Sequence, residues 1–156
     1  MRVLLVDDDN DERHVFATAL KRTGLNVDLF EATDGYAAIN YLLGNEPYAD
    51  RAKFPHPDMI FLDLKMPGLD GFDVLSEIRP KLGLQNLPVI VFTNSSAKKD
   101  GVAAYSSHAS AVHQKPFEFD HLVSLLQRVI PLWVSTSLGL VDRKSTGNKE
   151  IPPFLP

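Results

Sequence analysis

Apolar and polar positions along this chain follow two alternating rhythms. Four short runs, VLLV at residues 3–6, VDLF at 27–30, MIFL at 59–62 and VIVF at 89–92, are largely branched or aromatic and continuous. Continuous rather than alternating apolar residues are the mark of strands covered on both faces. Between the runs the spacing becomes helical: Val15, Phe16, Ala19 and Leu20 after the first, Ala37, Ala38, Tyr41 and Leu42 after the second, Phe72, Leu75 and Ile78 after the third. A fourth helix over 98–107, a short fifth strand over 111–113 and a last helix from Glu118 to about Ile130 complete five strand–helix units. The last helix turns Leu122, Leu125, Leu126 and Val129 inward. Strand alternating with helix predicts an α/β fold with a five-stranded parallel sheet and helices on both faces.

Local signals agree with these elements. Asn10 or Asp11 can cap the first helix, Thr23-Gly24 can close it, and Asp34-Gly35 sets up the turn into the second. The stretch GNEPYADRAKFPHP at 44–57 holds three prolines and mixed charge, and reads as a long loop. After Trp133 the sequence becomes polar with scattered Gly and Pro, the character of an extension rather than a second domain. The predicted organisation is one domain over 1–134 and a C-terminal extension over 135–156.

Composition narrows the partners. With 156 residues and 44% hydrophobic content the chain can support one core of ordinary size. A formal net charge of −4 gives no broad electrostatic attraction to nucleic acid or to an anionic membrane, so neither is an expected partner. There are no cysteines, which removes disulfides, thiolate metal sites and a cysteine nucleophile and fits a reducing compartment. Met1-Arg2 leads straight into the first apolar run, without a signal-peptide pattern, and no later segment approaches the roughly 18 apolar residues of a membrane span. A soluble, cytoplasmic protein is expected.

The first run ends in three carboxylates, Asp7, Asp8 and Asp9, and the third ends in Asp63. In an open parallel sheet ligands bind outside the carboxyl ends of the strands, so these side chains point to the functional edge. If the first and third strands are neighbours, Asp63 stands beside Asp7 and Asp8. Carboxylates crowded into one crevice repel each other unless a cation or a proton intervenes. Oxygen ligands with no His or Cys nearby suit Mg²⁺, which commonly takes one or two carboxylates, waters and phosphate oxygens. The fourth run is followed by Thr93 and the fifth strand by Lys115-Pro116, bringing a hydroxyl and an ammonium to the same edge. An acidic trio, a hydroxyl and a lysine around a metal are the parts needed to transfer a phosphoryl group to a carboxylate, with Asp63 as nucleophile.

The segments LLVDDD, MIFLDLKMPGLDGFDVL, VIVFTNSS and HQKPF, in this order and spacing, resemble the receiver domain of two-component response regulators over residues 2–134. The resemblance implies the flavodoxin-like strand order 2-1-3-4-5. It implies that Asp63 accepts a phosphoryl group from a histidine kinase or phosphotransfer protein, and that Asp7, Asp8, Asp63 and the main-chain carbonyl of Lys65 hold Mg²⁺. Thr93 would be the switch hydroxyl, Lys115 the phosphate-pairing lysine, and the Lys115–Pro116 bond a cis peptide. Phosphorylation would then repack the face made by the fourth helix, fifth strand and fifth helix, which a partner or a second copy reads. Such a protein is a signalling switch rather than an enzyme, with at most slow self-catalysed phosphorylation and dephosphorylation. Two departures stand out. The position usually held by an aromatic switch residue in the fifth strand falls on Val112, and the 44–57 loop is long. That loop and the ending IPLWVSTS are similar to the single-domain regulators that partner bacterial phytochromes.

Plainer readings compete residue by residue. Asp7, Asp8 or Asp9 alone is most simply a helix cap, and Met66-Pro67-Gly68 with Asp70-Gly71 is turn chemistry that shapes the loop beside Asp63. His14, His56, His108, His113 and His121 show no ligand spacing. Trp133 reads as core or dimer surface, and Arg143, Lys144 and Lys149 as solvated. At the level of function, a Mg²⁺-dependent aspartyl-phosphate phosphohydrolase would carry its nucleophile on the first strand, with a second Asp two residues on. A flavin-binding module would want Gly, Ser and Thr where this chain has three carboxylates. A receiver-like interaction module that is never phosphorylated remains the fourth reading.

Overall fold

The computed structural model describes residues 1–81, 84, 86–94 and 98–137. Five parallel strands, β1 (Arg2–Val6), β2 (Asp28–Ala32), β3 (Met59–Leu62), β4 (Val89–Thr93) and β5 (Ala111–Gln114), form one sheet in the order β2-β1-β3-β4-β5. The helices between and after them are α1 (Asn10–Thr23), α2 (Gly35–Leu43), α3 (Gly71–Lys81), α4 (Lys98–Ser106) and α5 (Phe119–Ser137). The flavodoxin-like order implied by the resemblance is therefore the one observed. β1 and β3 are neighbours, with Val6 opposite Leu62, so the residues that follow each strand emerge side by side.

The apolar runs are continuous because both faces of the sheet are buried. On β1, Leu4 and Val6 join the layer built with α2 and α3, while Val3 and Leu5 face α1 and α5. In the α1/α5 layer Phe16, Phe61 and Phe92 meet edge to face, with ring centroids 5.0, 5.8 and 5.9 Å apart. Each such pair contributes about 0.5–1.5 kcal/mol beyond the area it buries. One aromatic from α1, one from β3 and one from β4 thus lock the helix to the two central strands beneath the sheet's carboxyl edge.

Four local expectations change. β2 lies at 28–32 rather than 27–30, because this edge strand buries only Ala32 fully and carries Glu31 inside it, paired across to Leu5. α1 is capped by Asp9, not Asn10 or Asp11: its backbone is extended, and its carboxylate accepts from the amides of Asp11 at 2.8 Å and Glu12 at 3.1 Å. α5 continues past Pro131 to Ser137 instead of stopping near Ile130, and Trp133 packs against the α1/α5 layer. Finally, Lys115–Pro116 is trans; among the described residues the cis peptide bond is Glu46–Pro47. The expected close of α1 does occur, with Gly24 in the left-handed conformation at φ 73°.

Candidate functional site

Each side chain at the carboxyl edge is delivered by the end of a strand. Asp7 follows β1 and is held by its own amide, which donates to Ala32 of β2 at 3.2 Å. Asp63 follows β3, its amide donating to Val6 at 2.9 Å. Thr93 ends β4, and its carbonyl accepts from the amide of Lys115 at 2.9 Å, so the lysine is fixed to the strand that carries the hydroxyl residue. Asp7, Asp63, Thr93 and Lys115 are all buried, an unusual fate for charged groups that requires partners.

For the charged groups the partners lie in the same crevice. Lys115 Nζ donates to Asp7 Oδ2 at 2.6 Å, lies 3.4 Å from Asp63 Oδ2, and also bonds Glu12 Oε2. One ammonium therefore serves three carboxylates. Burial works against its charge, but the bonds to Asp7 and Glu12 and the fields of Asp63 and Asp7 outweigh that and hold its pKa above the ordinary lysine value. Asp7 is pushed up by burial, with Asp63 adding and Lys115 opposing. Burial is the main cause of that rise, and three carboxylates against one ammonium leave the crevice net negative.

Asp8 completes the cluster from an exposed position: oxygens of Asp7, Asp8 and Asp63 all lie within 4.8 Å of one another. Oxygen-only donors at this spacing, with uncompensated negative charge and an open side, fit a hard divalent cation. This trio is the only such group of His, Cys, Asp or Glu among the described residues, and none of the five histidines belongs to it. Lys65 stands at its margin, its amide 3.5 Å from Asp63 Oδ1, and its side chain reaches Asp100 at the start of α4 at 3.9 Å.

The loop beside Asp63 is shaped by Gly71 and Asp70. A Cβ at Gly71 would collide with the Asp63 carbonyl oxygen and sit 2.7 Å from Leu64 Cα, so only glycine lets α3 start this close to the end of β3. Asp70 and Asp73 exchange bonds, each carboxylate accepting the other's amide at 3.0–3.1 Å, a capping box that closes the first turn. These residues are supports, as the turn chemistry suggests.

Sequence reasoning missed Glu12, Asn94 and Arg13. The spacing Asp9-x-x-Glu12 is that of a capping box, in which the third-position Glu returns to the cap's own amide. Here that amide already donates to Asp7 Oδ1 at 3.0 Å, so Glu12 is released to cross to Lys115 and to accept from Asn94 Nδ2 at 2.7 Å. Arg13 is buried and binds the carbonyl of Asp7 at 2.8 Å, Asn10 Oδ1 at 3.0 Å and Glu31 at 3.1 Å, fixing the turn that aims the aspartates. An arginine on an otherwise apolar helix face was the available signal for it.

Val112, at the position of the usual aromatic switch residue, is partly buried against the α2/α3 layer. Its neighbour His113 turns toward α5, where burial first and then Arg128 keep its pKa below the usual value. Arg143, Lys144 and Lys149 lie outside the described residues.

Residues 3–127 match the family profile described as the response regulator receiver domain. The chain belongs to that family. Response regulator Rcp1 of Synechocystis sp. is 31% identical over 134 residues, 86% of this chain and 89% of the relative. The crystal structure of the Mn²⁺-bound form of Rcp1 superposes with a TM-score of 0.74 at 30% identity, covering 86% of this chain and 95% of the other. Response regulator RPA3017, in red light signalling of R. palustris, gives 0.78 at 29% identity over 86% and 92%. The phosphorylated cyanobacterial phytochrome response regulator RcpA gives 0.77 at 28% identity over 86% and 94%. The structures this receiver resembles thus include a phytochrome response regulator and a regulator in red light signalling. Among the described residues no helix is long and apolar enough to cross a membrane.

Proposed function

We propose that this receiver accepts a phosphoryl group on Asp63 from a phosphohistidine of a histidine kinase or phosphotransfer protein. The observation that carries the reading is the meeting of three strand ends: Asp63 lies within the Asp7–Asp8 carboxylate cluster and 3.4 Å from the buried ammonium of Lys115. An Asp63 oxygen attacks the phosphorus of a phosphohistidine that is protonated on its other ring nitrogen, the bond between phosphorus and the donor nitrogen breaks, and histidine leaves as neutral imidazole. Lys115 pairs with the oxygens of the transferred group, and the Thr93 hydroxyl donates to one of them. Mg²⁺, held by Asp7, Asp8, Asp63 and the Lys65 carbonyl, would supply the remaining neutralisation of phosphate charge.

Phosphorylation replaces the single charge of the Asp63 carboxylate by the roughly doubled charge and three acceptor oxygens of an acyl phosphate, which then draw Thr93 and Lys115 inward. The α4–β5–α5 face, where Val102 and Leu132 stand exposed, is repacked for a partner or a second copy. With Val112 in place of an aromatic, that coupling runs through the strand ends rather than through a rotating ring. The similarity to Rcp1, RPA3017 and RcpA supports a phytochrome-linked kinase as donor. The reading takes residues 1–134 as the switching unit and 135–156 as an extension, places the protein in the cytoplasm without nucleic-acid or membrane partners, and gives it no catalytic turnover beyond its own phosphoryl group. Borohydride trapping tests the acceptor: after treatment with Mg²⁺ and acetyl phosphate, an acyl phosphate on Asp63 is reduced to homoserine and found by peptide mass spectrometry. Homoserine at Asp7 or Asp8 instead would move the acceptor.

A further inference from the structure

Lys115 has three donors and three carboxylates competing for them, and only one of those carboxylates is the proposed acceptor. Asp7 and Glu12 both hydrogen-bond the ammonium, whereas Asp63 stands off at 3.4 Å. Glu12 is not there by accident of a flexible side chain. Its amide is pinned to Asp9 at 3.1 Å, its second oxygen is pinned by Asn94 at 2.7 Å, and it is two-thirds buried, with side-chain exposure of 33%. The carboxylate therefore bridges the end of β4 and the residue after β5 from the first turn of α1.

We propose that Glu12 is a positioning residue that holds the Lys115 ammonium back from Asp63 in the resting protein, so that phosphoryl acceptance has to pull the lysine away from it. This rests on the reading of Asp63 as acceptor. An ammonium shared with Glu12 and Asp7 has less of its field and fewer of its donors to offer an incoming phosphate. When Asp63 gains the phosphoryl charge, the balance tips and the lysine moves across. Asn94, bonded to the carboxylate that is left behind, lies next to Thr93, so the same exchange reaches the end of β4.

The test is a double-mutant cycle. Glu12→Gln keeps the size and an accepting oxygen and removes the charge. In the otherwise native protein it should speed phosphoryl-adduct formation from acetyl phosphate by about three- to tenfold, the range of one partly screened charge interaction, and lengthen the adduct's lifetime. In a Lys115→Met background the same substitution should change neither rate. An equal acceleration in both backgrounds would mean that Glu12 acts only by repelling the anionic donor, and would overturn the proposal. A metal-free crystal structure of Glu12→Gln gives a readout independent of phosphorylation: Lys115 Nζ should close on Asp63 from 3.4 Å to ordinary hydrogen-bonding distance. A lysine left where it is would also overturn the proposal. Absence of any adduct in the native protein would instead count against Asp63 as acceptor, with the crystal structure still deciding the role of Glu12.

Discussion

The two ends of the sheet solve the same problem in opposite ways. At the amino end, the 44–57 loop brings polar backbone near the core and satisfies it locally. Arg51 donates to the carbonyls of Tyr41 at 2.7 Å, Leu42 at 2.8 Å and Phe54 at 3.2 Å, closing the C-terminus of α2. Tyr41 packs against Phe30, Tyr48 and Phe54 and donates its hydroxyl to Pro55 at 2.9 Å. Arg2 and Asp58 form a two-pronged pair at 2.6 and 3.1 Å, which raises the one pKa and lowers the other. At the carboxyl end, Asp7, Asp63 and Glu12 share one ammonium and Asp8 adds a fourth carboxylate beside them, while Arg13 spends its donors on a carbonyl, Asn10 and Glu31. Balanced charge marks the end that only holds the fold together. Unbalanced charge marks the end where we propose that a cation and a phosphoryl group bind.

The comparison can be broken from either side. The largest effect should come from Tyr41→Ala, which empties a fully buried aromatic site and should cost about 3–5 kcal/mol of stability, read by urea unfolding, while leaving adduct formation on the folded fraction intact. Next is the response to Mg²⁺: the metal should stabilise the native protein by about 2.7 kcal/mol at a hundred times its dissociation constant, visible as a raised Tm. Asp8→Ala should remove most of that shift and Arg51→Met should keep it; a metal response equal in both would erase the contrast between the ends. Arg51→Met itself leaves buried carbonyls without their donor and should destabilise by about 1–2 kcal/mol.

The smallest effect is in pH. The pKa of His113 is lowered in the fold by burial and by Arg128, and that of His56 is lowered the same way by burial, Arg51 and Arg2. The unfolded chain therefore binds these protons first. Their contribution is fully present above about pH 6.5 and is lost as pH falls through that value toward the lowered folded pKa. His113→Gln should flatten the fall in stability below that pH, and an unchanged slope would remove His113 from the account.

What the sequence made legible follows the same division. β3 could be placed to the residue, because MIFL is buried on both faces and stops at a charge. β2 was shifted because an edge strand buries little and tolerates Glu31 in its middle, which breaks the apolar run. Asp7, Asp8, Asp63, Thr93 and Lys115 could be brought to one edge because each ends a strand or follows one within two residues, and strand ends converge in a parallel sheet. Glu12 could not: its spacing from Asp9 predicts a local cap, and only the three-dimensional fact that Asp7 already takes the Asp9 amide sends it across to Lys115. The helix beyond Pro131 was hidden for a related reason, since packing of Trp133 on the α1/α5 layer overrides a local stop signal.

The most direct measurement of the central claim is intact-mass spectrometry after incubation with Mg²⁺ and acetyl phosphate, native protein beside Asp63→Asn. One phosphoryl adduct in the native protein and none in the variant is the predicted result. An adduct that persists in Asp63→Asn, or no adduct in native protein whose Tm still rises with Mg²⁺, would contradict it.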